Sequence, residues 1–501
     1  MFNENEGPCP YVVNTNRSSQ RANGAICCLV EMATKRTTSS FGDARLDKAF
    51  ARLVDNLTSR WTLTLRKLAE DAAQANRFSR FINNKAVTPR QLLQEHWKRL
   101  QPDLKGRHLL AISDTTTLSF RPLAKREALG TVTDTSALEG FDIHPTVLVD
   151  ADTKACLGPA GMTSYQRPRM TSEQDTEQRA QRRQQRNYLP FEQKERYKWW
   201  ASPCEAVGNC SGAAQYTLVG DREADIFELM HRVRERGWHF LYRSRVNRVV
   251  EVRTDGSKLK LHDLIASQPV RHTYPVKLRS TAKRSAHTAE LHVKFGEAAI
   301  QRSTAPANKH LPASLPIHYV EVGEDDRTVV GKERPIHWVL LTSHAVTSVE
   351  QALKVIGWYI SRWDIEQIFR TMKVQGLELE KVRYEKFAGL CNVATLALIG
   401  AGMVMQLRRA FDERQEQSSQ AVFSPVEQEC VAKLSGRLSG KTDKLRNPHQ
   451  VGTLAFGAWV VARLGGWSGY ASAAPPGPIT FIDGIAKLCL ILEGYQMMRE
   501  G

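Results

Sequence analysis

Cysteine is sparse in this 501-residue sequence, and its distribution excludes several kinds of protein. The nine cysteines are scattered, no two of them form a C-x-x-C pair, and no pair of histidines stands beside them at zinc-ligand spacing. The sequence therefore argues against a structural zinc site. Because an odd, scattered set also argues against a disulfide framework, we expect a reducing compartment and a cytoplasmic protein.

Signals for secretion and for membrane insertion are also lacking. The N-terminal residues contain neither the basic segment nor the long apolar segment of a secretory signal. One stretch, residues 387–407, carries no charge and is long enough to cross a membrane. It contains Asn392 and Gln406 and is bracketed by Lys386 and Arg408. We interpret it as a buried core helix, with a membrane span as the alternative, and expect no membrane partner.

Positive charge is in clear excess. The chain has 70 Lys and Arg residues against 53 Asp and Glu residues, which gives a formal net charge of +17. A field of this sign favours a polyanionic partner such as nucleic acid or an acidic membrane. A basic enzyme with no role in nucleic-acid chemistry is the alternative at this point.

The N-terminal quarter changes from an aperiodic tail to a helical pattern. Residues 1–38 are polar and lack periodicity, which predicts a loose tail. Helical patterns begin at residue 42, run through residues 61–81 and return at residues 89–100. Basic residues lie on one face of these helices, as in units that dock on nucleic acid, and solvent-exposed amphipathic helices are the alternative.

Short apolar segments that end in an acid dominate the middle of the chain. The predicted elements are strands at residues 108–113, 145–150 and 216–220, a helix at 224–236 and a strand at 239–243. Alternating strands and helices predict an α/β domain with a mixed sheet. Asp114 and Asp221 directly follow two of the strands, at the edge where open α/β sheets collect their chemistry.

Residues 246–336 switch to short segments of alternating polarity, which predicts a β-rich insertion in the α/β domain. The apolar segment at residues 338–342 then predicts a return to the main sheet. From residue 349 onward the pattern is dominated by helices.

A polar stripe marks the segment that follows this return. On a helix predicted for residues 358–373, polar side chains recur every three or four residues: Tyr359, Arg362, Glu366, Arg370 and Lys373. An exposed face laced with i,i+4 salt bridges is the ordinary explanation. Because most of the other residues are apolar, we interpret the helix as largely buried, with its polar stripe facing a cleft.

Three carboxylates in such a setting suit metal-dependent phosphodiester chemistry. Mg²⁺ prefers oxygen ligands, and two such ions activate the attacking oxygen and stabilise the leaving oxygen of an in-line displacement. Asp114, Asp221 and Glu366 are therefore candidate ligands for two Mg²⁺ ions, with Mn²⁺ as a substitute. Arginine and lysine nearby would hold the phosphates of DNA.

The three acidic motifs together resemble one family. Tyr359-x2-Arg362-x3-Glu366-x6-Lys373 is similar to the signature around the catalytic glutamate of DDE cut-and-paste transposases of the fourth insertion-sequence family. Ile112-Ser-Asp-Thr-Thr-Thr-Leu-Ser119 and Asp221-Arg-Glu-Ala-Asp-Ile226 resemble its two aspartate motifs. The resemblance covers most of the chain, and the ordered set of motifs is its specific feature.

The resemblance implies a fold and a domain order. It implies an α/β, ribonuclease-H-like catalytic core at residues 89–390 that contains the β-rich insertion. It also implies a helical domain at residues 39–88 that binds transposon ends, and a helical dimerisation domain at residues 391–501. The apolar stripes at residues 451–462 and 485–495 are candidates for the dimer interface, and packing inside one monomer is the alternative.

The resemblance also implies residue roles. Asp114, Asp221 and Glu366 become the catalytic, metal-binding triad. The implied DNA contacts are Tyr359, Arg362, Arg370, Lys373, Arg243, Trp338, Arg80 and, more loosely, Arg45; among these, Trp338 is expected to hold a flipped base.

The resulting hypothesis is a homodimeric DNA transposase. It would cleave transposon ends, pass through hairpin ends and join them to target DNA. Two alternatives stay open, namely a nuclease of the same fold without strand transfer, and a decayed transposase that binds DNA as a repressor.

Overall fold

The computed structural model describes residues 40–500 except 101–102, 125, 133–137, 168–184, 186–187, 254, 281–283, 332, 414–416 and 471–472. The tail predicted for residues 1–38 lies outside the described residues.

The helices are concentrated at the two ends of the chain. In chain order they are α1 (Ala44–Arg60), α2 (Leu65–Leu68), α3 (Ala72–Ile82), α4 (Pro89–Leu100), α5 (Lys198–Asn209), α6 (Phe227–Glu235), α7 (Leu261–Ala266), α8 (Val349–Ile360), α9 (Trp363–Lys373), α10 (Phe387–Glu413), α11 (Pro425–Leu438), α12 (Leu454–Leu464) and α13 (Pro478–Glu500).

The strands lie between them and form one mixed sheet. They are β1 (His108–Ser113), β2 (Thr116–Phe120), β3 (Gly130–Thr131), β4 (Glu139–Asp150), β5 (Cys156–Tyr165), β6 (Gln215–Gly220), β7 (His239–Arg243), β8 (Val249–Glu251), β9 (Lys258–Lys260), β10 (His272–Leu278), β11 (His287–Gln301), β12 (Ser314–Glu324) and β13 (His337–Thr342). The predicted α/β class and mixed sheet are confirmed.

In the order of the strands, β1 and β6, which precede Asp114 and Asp221, are neighbours near the middle of the sheet. The order is β2-β4-β1-β6-β7-β13-β12-β11-β8-β9, with β1, β6 and β7 parallel to one another. The strands of the β-rich segment join the sheet through β13, which pairs antiparallel with β7. The β-rich segment therefore extends the central sheet.

Two apolar cores cover the two faces of the sheet. Side chains alternate between faces along a strand, so Leu110 and Ile112 of β1 lie in one core while Leu109 and Ala111 lie in the other. The first core also contains the buried sides of α1, α8, α9, α10, α12 and α13. The N-terminal and C-terminal helices thus share one core with the sheet.

Two helical predictions need correction. The helical run predicted for residues 61–81 is interrupted. Trp61 ends α1 in a left-handed conformation (φ 43°). α3 begins only after Asp71, whose side chain accepts a hydrogen bond from the Gln74 amide. The helix predicted for residues 358–373 is also divided, because the chain forms tight turns at Ser361 and Arg362 between α8 and α9. Arg362 therefore lies at a junction of two helices.

The uncharged stretch predicted as a core helix forms most of α10. By length and composition, Phe387–Asp412 would qualify as a membrane span, but 83% of its most apolar window is buried in the protein. Its polar residues have partners inside the protein, since Asn392 donates to the carbonyls of Ile82 and Val87, at 2.9 Å each. The boundary predicted between residues 390 and 391 falls inside this helix, so the proposed division into domains stays a prediction.

The two apolar stripes considered for a dimer interface pack largely within the monomer. Every residue of α12 from Leu454 to Ala462 is buried, and so are Ile485, Leu488 and Leu492 of α13. Packing inside the monomer accounts for these buried residues, because α12 and α13 pack on each other and on α10, and the dimerisation domain stays a prediction.

Candidate active site

Three polar residues lie at the carboxyl ends of three neighbouring parallel strands, in register. Ile112 of β1 lies beside Val219 of β6, and Gly220 of β6 lies beside Tyr242 of β7. Continuing this register by one or two residues brings Asp114, Asp221 and Arg243 into one row. Neighbouring strands are about 4.8 Å apart, so the row is compact.

These residues also share one face of the sheet. Asp114 continues the alternation of Leu110 and Ile112, and Asp221 continues that of Val219, all of which face the core containing α8 and α9. The carboxylates consequently face the helices that carry Tyr359 and Glu366.

Arg362 links two of the predicted triad acids directly. Its Nη1 donates to Oδ2 of Asp114 at 2.8 Å, and its Nη2 donates to Oε1 of Glu366 at 2.7 Å. The break between α8 and α9 puts this guanidinium between the strand end and the helix. A third nitrogen, Nε, is buried and has no hydrogen-bond partner among the described residues.

The electrostatics of Asp114 show that all three acids are neighbours. The pKa of Asp114 is raised to about 6; burial is the largest cause, Arg362 opposes the shift, and the nearby charges of Asp221 and Glu366 contribute to it. Burial opposes the charge on Arg362, but Tyr359, Asp114 and Glu366 together raise its pKa above the usual value. The site therefore concentrates negative charge around one guanidinium.

An aromatic and basic group borders the acids. The ring of Trp338 meets the ring of Tyr359 edge-on, with centroids 5.5 Å apart. Burial lowers the pKa of Arg243, Tyr359 opposes this shift, and the charges of Arg222 and Arg362 lower it further. Positive charges are thus crowded beside the carboxylates.

The other predicted DNA contacts lie farther from this group or are already paired. Lys373 donates to the carbonyl of Thr117 and lies 3.8 Å from the carboxylate of Glu380. Arg370 is exposed on α9, and Arg80 is exposed on α3. Arg45 is exposed at the start of α1 and forms a salt bridge of 2.9 Å with Asp43. No contact joins Arg80 or Arg45 to the acids in the described part of the chain.

Two supporting features were missed from the sequence. Arg409 of α10 binds the buried carboxylate of Asp364 with two nitrogens, which anchors the start of α9. Behind Asp114, the hydroxyl of Thr115 lies 2.9 Å from Nδ1 of the fully buried His144. Neither partner could be found from sequence spacing, because each pair joins residues far apart in the chain.

A second group of possible metal ligands lies in the β-rich segment. Side-chain ligand atoms of Glu290, His292 and Asp325 lie within 4.8 Å of one another. Asp325 is already bound by Arg327, through Nε at 3.0 Å and through Nη2 at 2.6 Å. This group was not predicted and is separate from the acids at the strand ends.

A comparison with known families bears on this site. Residues 211–399 match the family model of a transposase DDE domain. The match supports a DDE transposase. It includes Asp221 and Glu366, and a transposase domain implies a DNA substrate and an enzyme of DNA cleavage and transposition.

The side chains of Asp114, Asp221 and Glu366 fit the divalent metal that such a domain uses. All three side chains offer carboxylate oxygens, the ligands that Mg²⁺ prefers. Two of the acids, Asp114 and Glu366, already bind a cation, the guanidinium of Arg362, which shows that positive charge is stabilised between them.

Proposed function

We propose that this chain is a cut-and-paste DNA transposase of the fourth insertion-sequence family, similar to the transposon-five transposase. The proposal includes a ribonuclease-H-like core, with Asp114, Asp221 and Glu366 as ligands for two Mg²⁺ ions, for which Mn²⁺ substitutes. The observation that carries it is the arrangement at the carboxyl ends of β1 and β6, where Arg362 binds Asp114 and Glu366 directly and the charge of Asp221 acts on Asp114.

The chemistry follows from the groups at this edge. Bound divalent ions would activate the attacking oxygen and stabilise the leaving oxygen in an in-line displacement. Water attacks a phosphodiester at the transposon end and releases a 3′-hydroxyl. That hydroxyl attacks the opposite strand, which closes a hairpin at the transposon end and frees the flanking DNA. A second water then opens the hairpin. The 3′-hydroxyl that this step releases attacks target DNA.

The surrounding side chains have roles in holding DNA. Arg243, Tyr359 and Arg362 face the phosphates next to the scissile bond, and Arg370 and Lys373 extend this basic face along α9. Trp338 stacks on the base that the tight hairpin expels. Unstacking costs a few kcal/mol, and stacking on an aromatic ring returns about 1–3 kcal/mol per base.

Arg80, and with it Arg45, binds the end sequence outside the catalytic region. The active species is a homodimer that holds two ends, because each protomer has one set of three acids while an excision needs cleavage at both ends. This assembly acts on DNA in the cytoplasm.

The first prediction tests the triad. Asp114→Asn, Asp221→Asn and Glu366→Gln each remove one metal-binding charge at nearly constant volume, and each should abolish nicking of duplexes that carry the inverted repeats flanking the gene. Binding of the same duplexes should persist in a gel-shift assay, because phosphate contacts supply most of the affinity.

Asp152→Asn is a matched control. Asp152 is an exposed acid that pairs with Lys354 at 3.1 Å near the opposite end of β1, so its loss should leave nicking unchanged. Full nicking by any of the three triad variants would contradict the proposal. Cleavage without joining to a target plasmid would instead indicate a nuclease of the same fold.

A further inference from the structure

A row of buried polar pairs lies behind Asp114, on the strands that flank it. The pairs connect β1 and β2, and the turn between them, to β4: Ser113 with Thr146 at 2.8 Å, Thr115 with His144 at 2.9 Å, and Thr117 with Asp142. Buried polar groups in apolar surroundings are costly unless they are paired. The row therefore fixes the register of the segment that carries Asp114.

The middle pair connects to Asp114 itself. The backbone amide of Thr115 donates to Oδ1 of Asp114 at 2.7 Å, while Oδ2 of the same carboxylate faces Arg362. One oxygen is thus held by the main chain, and the other is directed into the site. The orientation of the carboxylate depends on where Thr115 lies.

We propose that His144 is a positioning residue that orients the metal-binding carboxylate of Asp114 through Thr115. This inference rests on the proposed function, since it takes Asp114 as a metal ligand. His144 does not reach the reacting atoms; it acts by holding the hydroxyl, and through it the backbone, of its neighbour.

The surroundings of His144 leave the ring one hydrogen-bond partner in the described part of the chain. The ring is fully buried, its edge packs on Trp199 with centroids 4.5 Å apart, and Nε2 has no partner among the described residues. Burial, with the charge of Lys198 nearby, lowers the pKa of His144 well below its usual value, so the ring is neutral. The one described hydrogen-bond partner of the ring is therefore the hydroxyl of Thr115, at Nδ1.

Nδ1 and Oγ1 of Thr115 share one hydrogen bond, and this bond holds the threonine hydroxyl in place. In metal sites, groups that hold a ligand from behind typically change metal affinity by about 10–100-fold when they are removed. His144 and Thr115 stand in that relation to Asp114.

The experiment compares substitutions that keep or lose this one hydrogen bond. Asn places an amide N–H near the position of Nδ1, whereas Gln places it near Nε2, so His144→Asn should retain the contact and His144→Gln should lose it. In the same way, Thr115→Ser keeps the hydroxyl and Thr115→Val removes it. Each full-length variant is mixed with an uncleaved end duplex, and free Mn²⁺ is measured by electron paramagnetic resonance.

We expect His144→Gln and Thr115→Val to bind Mn²⁺ about 10–100-fold more weakly than the unsubstituted chain. The variants that keep the contact should bind Mn²⁺ nearly as the unsubstituted chain does. Affinity for the end duplex without metal should be the same in all four, since none of these residues is placed on the DNA-binding face. Thr395→Val is the matched control, because it removes a buried hydroxyl outside this row, which donates to the carbonyl of Cys391 within α10 at 2.9 Å, and it should leave Mn²⁺ binding unchanged.

Two results would overturn the role of His144. One is unchanged Mn²⁺ binding by His144→Gln and Thr115→Val, while Asp114→Asn loses it. The other is equal weakening by His144→Asn and His144→Gln, which would trace the effect to ring packing. If Asp114→Asn itself binds Mn²⁺ normally, the proposed function fails instead.

Discussion

At the scale of single residues, Arg362 binds carboxylates that a metal ion would also bind. Its guanidinium is bound to Asp114 and Glu366 at once, so a cation that binds these carboxylates has to displace it. A phosphate of bound DNA carries negative charge, as the two acids do. It can therefore pair with the guanidinium that the metal displaces. Binding of DNA and binding of metal should therefore strengthen each other.

Replacing Arg362 with Gln removes the competing charge. We expect this variant to bind Mn²⁺ more tightly than the unsubstituted chain in the absence of DNA, and to gain less from added end duplex. Calorimetric titration with Mn²⁺, in the absence and in the presence of the duplex, measures both effects. Weaker Mn²⁺ binding without DNA would show that Arg362 supports the metal ligands and does not compete with the metal.

The sequence predicts some of these residues and not others, for a physical reason. Asp114 and Asp221 follow buried apolar strands, and this local pattern is enough to place them at one edge of a sheet. His144 lies inside β4 between Asp142 and Pro145, a composition that is untypical of a central strand. Its burial is explained only by partners from distant elements, such as Thr115 and Trp199, which a single sequence does not reveal.

At the scale of elements, the position of α9 depends on one ion pair with α10. Arg409 binds the carboxylate of Asp364, which is nearly inaccessible to solvent, at the first turn of α9. Because Glu366 lies two residues farther along, this contact also fixes the glutamate relative to the sheet.

Arg409→Met should destabilise the protein by about 3–5 kcal/mol, because it leaves the buried charge of Asp364 without its partner. The neighbouring Arg408→Met is a matched control. Arg408 pairs with Asp412 at 3.7 Å in a more exposed position, so its loss should cost about 0–1 kcal/mol. Chemical denaturation measures both values, and equal losses would contradict the role of Asp364 as an anchor.

The elements themselves were predicted to different degrees. The strand at residues 239–243 and the helix at residues 89–100 were predicted with the observed bounds, because each is a periodic segment with clear ends. β5 was missed, since Gly158 and Pro159 interrupt its pattern and it pairs with β4 across register shifts. The division between α8 and α9 was also missed, since Ser361 and Arg362 do not break a helix by composition alone.

At the scale of the whole molecule, the core is continuous from α1 to α13. Phe50 and Leu53 of α1, Ile112 of β1 and Leu488 of α13 all belong to one cluster of buried residues. A chain cut after residue 446, which would remove α12 and α13, would therefore lose part of its own core. Truncation is a poor test of dimerisation for this reason.

Exposed residues of α13 offer a better test. Leu490, Met497 and Met498 are 69%, 74% and 77% exposed, whereas Leu488 and Leu492 on the same helix are buried. Leu490 is not part of the buried side of α13, and a single exposed apolar residue is ordinary on a monomer. With Ile479 and Ile491, α13 carries five exposed apolar residues. They are the described apolar surface that best suits a second copy of the chain, which the proposed cleavage of two ends requires.

We therefore expect the double variant Leu490→Glu and Met497→Glu to bind one transposon end normally and to fail to hold two. Both side chains are exposed, so the charges should not disturb the core, and thermal stability should stay within about 0.5 kcal/mol per substitution. Val451→Glu is the matched control, because Val451 is 66% exposed but precedes α12. Gel-shift assays with one and two labelled ends separate the two complexes. If the double variant pairs two ends normally, the dimer interface lies on another surface of the molecule. The assignment of the catalytic residues does not depend on that result.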